Sequence, residues 1–147
     1  MNIFVINLPG SVERLQFQKK QLFELGLDYR ILKAISINDI NKETYKKHYF
    51  DWQRPLRNTE VACYFSHRSA WQKIINNNMP ALILEDDALL SKCVPELLKS
   101  LKNKKNVDLI NFEVTGRKKW IAKIGDNIVC NSKLFRLYQD RSGAAGY

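Results

Sequence analysis

The sequence predicts an α/β layered fold with a mostly parallel central sheet. Short apolar, β-branched runs alternate with segments of helical periodicity, and the first 36 residues already read strand, helix, strand. Size agrees: 147 residues, 45% hydrophobic and 27% charged, suffice for one globular domain with its own core.

"NIFVINL" at 2–8 is apolar and rich in β-branched side chains, a buried first strand. Pro9-Gly10 breaks it. Ser11 is placed to cap a helix over 12–25, with Val12, Leu15, Leu22 and Leu25 on one side and Gly26 as its stop. "DYRILKAIS" at 28–36 is a second strand, and a parallel pair joined by the helix is the economical topology. Residues 38–58 are polar, aromatic and irregular, a loop or short helix near the ligand. Thr59 is expected to cap a helix over 60–77, whose apolar side carries Val61, Tyr64, Phe65, Trp71, Ile74 and Ile75. Trp71 is expected in the core, and Pro80 ends the helical stretch. "ALILE" at 81–85 is the third strand. Val94, Leu97, Leu98 and Leu101 then fall at helical spacing, with Pro95 suited to a first turn. "VDLINFEV" at 107–114 reads as a fourth strand, and "NIVCNSKLFRLY" at 127–138 as one or two more, a candidate hairpin.

The net charge of +9 is uneven. Between Lys99 and Lys123 eight basic residues face only Asp108 and Glu113, so this stretch carries +6 of the total. Such a surface favours anionic partners (nucleic acid, acidic lipid, phosphorylated substrate) without choosing among them, and a solvated basic face reads equally well. Aromatic and basic residues do not interleave as in a recognised nucleic-acid module, so no nucleic-acid partner is expected. Cys63, Cys93 and Cys130 give neither a disulfide framework nor a zinc spacing, and are expected as buried, reduced thiols. No apolar run approaches the roughly 20 residues that span a bilayer. The N-terminus reads as a strand, not a signal peptide, which makes a cytoplasmic location the default expectation. Peripheral contact with the inner face of an anionic membrane would be an extension of it.

"ALILEDDALL" at 81–90 drives a buried strand into three adjacent carboxylates. Anions so placed need compensation by solvent, basic side chains or a metal. In parallel sheets ligands sit beyond the carboxyl ends of the strands, and Glu85, Asp86 and Asp87 stand there. Hard divalent cations take carboxylate oxygens and bridge to phosphates. If the strand persists, Glu85 and Asp87 share one face and Asp86 takes the other. The alternative is plain: acidic residues ahead of a helix over 91–101 complement its dipole. Spacing leaves both readings open.

"VINLPGSVERLQFQKKQL", "TEVACYFSHRSAW" and "ALILEDDA", in that order, resemble glycosyltransferase family 25, the lipooligosaccharide galactosyltransferases and their relatives. The resemblance runs from Ile3 to about Asp87, and more loosely to "SGAAGY". It implies a GT-A-like, Rossmann-type nucleotide-sugar fold. It implies transfer of a sugar, commonly galactose from UDP-galactose, to a hydroxyl of a lipooligosaccharide or lipopolysaccharide acceptor. It places Mn²⁺ or Mg²⁺ on Asp87, with Glu85 or Asp86, against the donor diphosphate. It assigns Asn7 and Arg14 to the nucleotide, with Arg14 meeting phosphate or ordering the loop. Otherwise these two are a turn-forming Asn and a solvated Arg. Glu60, Ser66 and His67 match the second motif and are assigned to the donor, although Thr59 stands where many relatives carry Gly. A helical His such as His67 also reads as a hydrogen-bonded structural residue.

No residue is singled out as the general base that inverting transfer requires. Glu113 and Asp140 are the acidic residues left to consider. Relatives are longer, so residues 1–147 are expected to be a single donor-binding domain lacking the C-terminal acceptor part, either truncated or completed by a second chain. A strand edge left open would favour self-association into a homo-oligomer. The competing reading is a catalytically idle domain that binds anionic lipid or a partner protein through the basic segment. A metal phosphatase or nuclease is disfavoured, because the first strand lacks Asp-x-Asp and no His pair accompanies the acidic tip.

Overall fold

The computed structural model of the chain describes residues 1–50, 53–102, 104–114, 116, 118–140 and 146–147. Arg117 of the basic segment and most of "SGAAGY" lie outside them. The opening apolar run forms β1 (Asn2–Asn7), and α1 (Val12–Glu24) returns the chain to β2 (Arg30–Lys33). Gly26, at φ 63°, ends α1: its left-handed backbone lets the Leu27 amide reach back to the Leu22 carbonyl at 2.9 Å. The irregular region holds a 3₁₀ turn (Ile37–Asp39) and α2 (Lys42–His48). Then come α3 (Asn58–Asn77), β3 (Ala81–Glu85) and α4 (Val94–Leu101). A separate antiparallel hairpin pairs β4 (Trp120–Asn127) with β5 (Lys133–Gln139).

The α/β class and the parallel sheet are as expected. The strand order is β2-β1-β3, with β1 in the middle. Asn7 pairs with Lys33, and Ile6 with Glu85, so all three strands end together at one rim. Side chains alternate across the sheet. Ile3, Val5, Leu82 and Leu84 pack with Leu22 of α1 and Leu98 of α4. Ile6 and Ile83 pack on the other face with Ala34 and with Ala70 of α3. Val5, Leu22 and Ile83 are fully buried, each stabilising the fold by about 1.5–3 kcal/mol. The same alternation carries Asn7 to the α1 side and Glu85 to the α3 side.

Several expectations fail for physical reasons. Residues 107–114 form no strand. The edge of β3 where they would pair is taken by Gly146 and Tyr147: the Ile83 amide donates to the Tyr147 carbonyl at 2.7 Å, and the Tyr147 amide donates back to the Ile83 carbonyl at 3.1 Å. The backbone of 107–114 reaches that pair at one bond, Phe112 amide to Gly146 carbonyl, 3.1 Å. Asn111 instead caps its own loop through the Glu113 amide at 2.7 Å. The hairpin starts earlier than expected and turns at Val129–Ser132, where Cys130 and Asn131 hold φ of 54° and 55°, the pattern of a type I′ turn. Thr59 lies inside α3, which begins at Asn58 because the Glu60 carboxylate accepts the Arg57 amide at 2.8 Å. Trp71 is not core: it is 41% exposed, with its indole N–H turned to Tyr147. Cys63 and Cys130 are exposed and Cys93 half-buried, one on the open side of a helix and the others at a cap and a turn tip. Among the described residues no helix is long and apolar enough to cross a membrane.

Candidate functional site

The common rim of the three strands gathers the motif residues. β1 ends at Asn7, buried on the α1 side, and its amide nitrogen donates to Asp86 Oδ2 at 2.8 Å and to the Ser11 carbonyl at 3.2 Å. One turn into α1, Arg14 Nη1 reaches Asp86 Oδ1 at 3.2 Å and Asp87 Oδ2 at 3.3 Å. β3 stops at Glu85 and a turn follows, so Asp87 does not return to the Glu85 face as a continued strand would require. Asp86 and Asp87 go together to α1, and Glu85 goes alone to α3. The turn is held from behind by two α1 glutamines: Gln18 donates to the Ala88 carbonyl at 2.6 Å, and Gln21 donates to it at 3.0 Å while accepting the Leu90 amide at 2.7 Å.

On the opposite face His67, buried on α3, places Nε2 3.0 Å from Glu85 Oε1. Its Nδ1 is 2.7 Å from the Tyr147 hydroxyl, which also accepts the Trp71 indole N–H at 2.7 Å. Burial of His67 opposes its charging, but the hydrogen bonds it donates to Cys63 and Glu85 outweigh that and push it up to about 9. Burial likewise raises Tyr147 to about 12, against the Trp71 hydrogen bond. Arg14 is raised above its ordinary value, chiefly by its hydrogen bond to Asp86.

The adjacent anions of the tip are therefore compensated by protein groups: Asn7 and Arg14 on one side, His67 on the other. With His67 protonated, three carboxylates face two cations and one negative charge is left over. Asp87, its side chain half exposed, lines a cavity of about 510 Å³ with Leu84, Leu98, Phe112 and Glu113. One Glu113 oxygen, Oε2, is buried there without a hydrogen-bond partner. Asp140 is instead tied to Lys119 at 2.9 Å and to Asn111 at 2.8 Å.

Two residues of the second motif stand apart from the tip. The Ser66 hydroxyl accepts the Ile35 amide at 2.8 Å and donates to the Ala62 carbonyl at 2.9 Å, tying the chain after β2 to α3. Glu60 is gripped by Arg54 at 2.9 Å, and that hydrogen bond lowers its carboxyl to about 2. Sequence reasoning missed Gln18, Gln21, Trp71 and Tyr147 as site residues. The glutamines had a readable signal: Arg14, Gln18 and Gln21 lie at i, i+4 and i+7, a polar stripe on one side of α1. Tyr147 had none, since only the fold brings it to His67.

A family model described as Glycosyltransferase family 25 (LPS biosynthesis protein) matches residues 1–147. A Haemophilus influenzae protein named "Putative glycosyltransferase" is 26% identical over 149 residues, covering 98% of this chain and 52% of its own length. Human procollagen galactosyltransferase 2 is 25% identical over 141 residues, covering 88% of this chain and 22% of its own. Xenopus laevis procollagen galactosyltransferase 1-A is 30% identical over 97 residues, covering 58% and 16%. The chain thus spans about half or less of the length of these relatives.

Proposed function

Because the chain belongs to glycosyltransferase family 25, we propose that the rim of its sheet binds a nucleotide-sugar donor for glycosyl transfer, in a GT-A-like arrangement. The observation that carries the reading is the Asn7–Arg14–Asp86–Asp87 constellation, set at the carboxyl ends of parallel strands and open to a cavity. UDP-galactose is the donor we favour, after the relatives named as galactosyltransferases, and a saccharide hydroxyl such as that of a lipooligosaccharide is the acceptor.

The residues divide the work. Asn7 and the two α1 glutamines hold the turn after β3 in place. Arg14, 59% exposed, uses one nitrogen for both carboxylates, and a guanidinium has further N–H groups with which to meet a diphosphate. The leftover negative charge would repel that diphosphate unless a cation joins. The donor set suits a hard ion: Asp86 and Asp87 are neighbouring carboxylates that share a single cation, Arg14, and Mg²⁺ or Mn²⁺ would be held by Asp87 with Asp86 and the substrate phosphates once the guanidinium turns to the diphosphate. Glu85, turned toward α3, is apart from that pair. When bound, the ion would neutralise charge on the departing nucleoside diphosphate.

The competing reading, an idle domain docking through the basic segment, has two of its cations already engaged: Lys104 with Asp126 and Lys119 with Asp140, both at 2.9 Å. The test of function is a transfer assay with UDP-galactose, UDP-glucose and a lipooligosaccharide acceptor in Mn²⁺. Release of UDP that depends on acceptor, and falls at least tenfold in Arg14→Ala, is expected. Acceptor-independent release, or none with either donor, would count against transfer by this chain.

A further inference from the structure

The face of the rim that the donor reading leaves unused holds a different set of side chains. Cys63 and His67 are four residues apart on α3 and so share one face of that helix. Glu85, the last residue of β3, points to the same place by strand alternation. Their sulfur, nitrogen and oxygen ligand atoms all lie within 4.8 Å of one another. Among the described residues this is the trio of metal-ligating side chains that converges. We infer that Cys63, His67 and Glu85 form a binding site for a borderline divalent cation of the zinc class.

The chemistry of the set selects the cation. Thiolate and imidazole favour Zn²⁺ or Co²⁺ over Mg²⁺ and Mn²⁺, which want oxygen throughout. Tetrahedral coordination brings such ligand atoms to about 3.5 Å from one another, so closing the trio needs shifts of roughly 1 Å. The His67 Nε2 to Glu85 Oε1 separation of 3.0 Å is already short enough. Outer-shell support is in place as well. Tyr147 holds Nδ1 at 2.7 Å and is itself held by Trp71 at 2.7 Å, which fixes the imidazole with Nε2 toward Glu85. His67 and Glu85 are sheltered while Cys63 is exposed, giving an entry side.

Charge agrees. A divalent ion would sit where Nε2 and Oε1 already approach to 3.0 Å, balanced by one thiolate and one carboxylate. Three protein ligands leave the fourth tetrahedral position open to water or a ligand. Cysteine spacing alone concealed this site, because it draws on one Cys, one His and one Glu from two elements. It stands independently of the donor site at Asp86 and Asp87, on the opposite face of the sheet.

The experiment is titration of the reduced, chelator-stripped chain with Co²⁺, followed by Zn²⁺ displacement. One equivalent of Co²⁺ with a thiolate-to-metal charge-transfer band, lost on adding Zn²⁺, is expected. Cys63→Ser, a change at an exposed position that spares the core, is expected to abolish the band. Tyr147→Phe is expected to weaken Zn²⁺ binding about tenfold. Cys93→Ser with Cys130→Ser, and separately Asp87→Ala, should leave the band intact. No saturable band, or a band that survives Cys63→Ser, overturns the proposal. Since UDP binding is not measured here, failure of this site and failure of the donor reading give different results.

Discussion

Asp86 keeps only 11% of its side chain exposed, yet both of its oxygens are engaged, one by Asn7 and one by Arg14. Asn7→Ala would leave Oδ2 of this sheltered carboxylate without its closest partner. A loss of about 1–3 kcal/mol in unfolding free energy is expected, measurable by urea denaturation. His67 supplies a pH-dependent counterpart. Unfolded, an imidazole titrates near 6.5; in the fold His67 is held at about 9. A raised folded value means that its pairing with Cys63 and Glu85 stabilises fully below pH 6.5 and is lost as pH rises through about 9. The urea midpoint of the native chain should therefore be lower at pH 9.5 than at pH 6.5, and the difference should be smaller in His67→Gln. Equal falls would remove His67 as the source. At this scale the sequence told much: Asn7, Arg14, His67, Glu85, Asp86 and Asp87 were all named, and the structure brings them to one rim. What it could not tell was how they pair, because pairing depends on which face of the sheet each residue leaves from. One residue of turn after Glu85 reverses the expectation for Asp87.

At the scale of elements, β1, α1, β3 and α4 were legible because each has a strong period and clear punctuation, Pro9-Gly10 and Gly26 above all. Residues 107–114 have an equally strong strand pattern and form none. Pattern records what a segment would do if offered an edge, and here Gly146 and Tyr147 occupy that edge. The β4 strand was missed in the opposite way. "WIAKIGDN" carries Lys, Gly and Asp among its apolar residues and pairs only because β5 folds back on it, with Gly125 leaving room for Phe135 whose ring would lie 2.7 Å from an added Cβ. The start of α3 rests on Glu60, which accepts the Arg57 amide and pairs with Arg54. Its lowered carboxyl value means that this support is present above the ordinary range near 4.5 and lost as pH falls through about 2. Glu60→Gln should lower the thermal midpoint at neutral pH and flatten the acid limb of the stability profile between pH 4.5 and 2. An unchanged profile would show that α3 starts without it.

For the whole molecule, the parallel three-stranded sheet with α1 and α4 on one face and α3 on the other explains why one rim has two chemistries. Alternation sends Asn7, Asp86 and Asp87 toward the arginine of α1, and Glu85 toward the histidine of α3. The leftover negative charge on the α1 side is what makes a cation necessary for an anionic donor, and this is the central claim. Calorimetric titration of the chain with UDP tests it most directly, in Mn²⁺ and again in excess chelator, with Asp87→Ala alongside. Saturable binding in Mn²⁺ that disappears in chelator and in Asp87→Ala is the expected result. Binding of equal strength in all three conditions would contradict it.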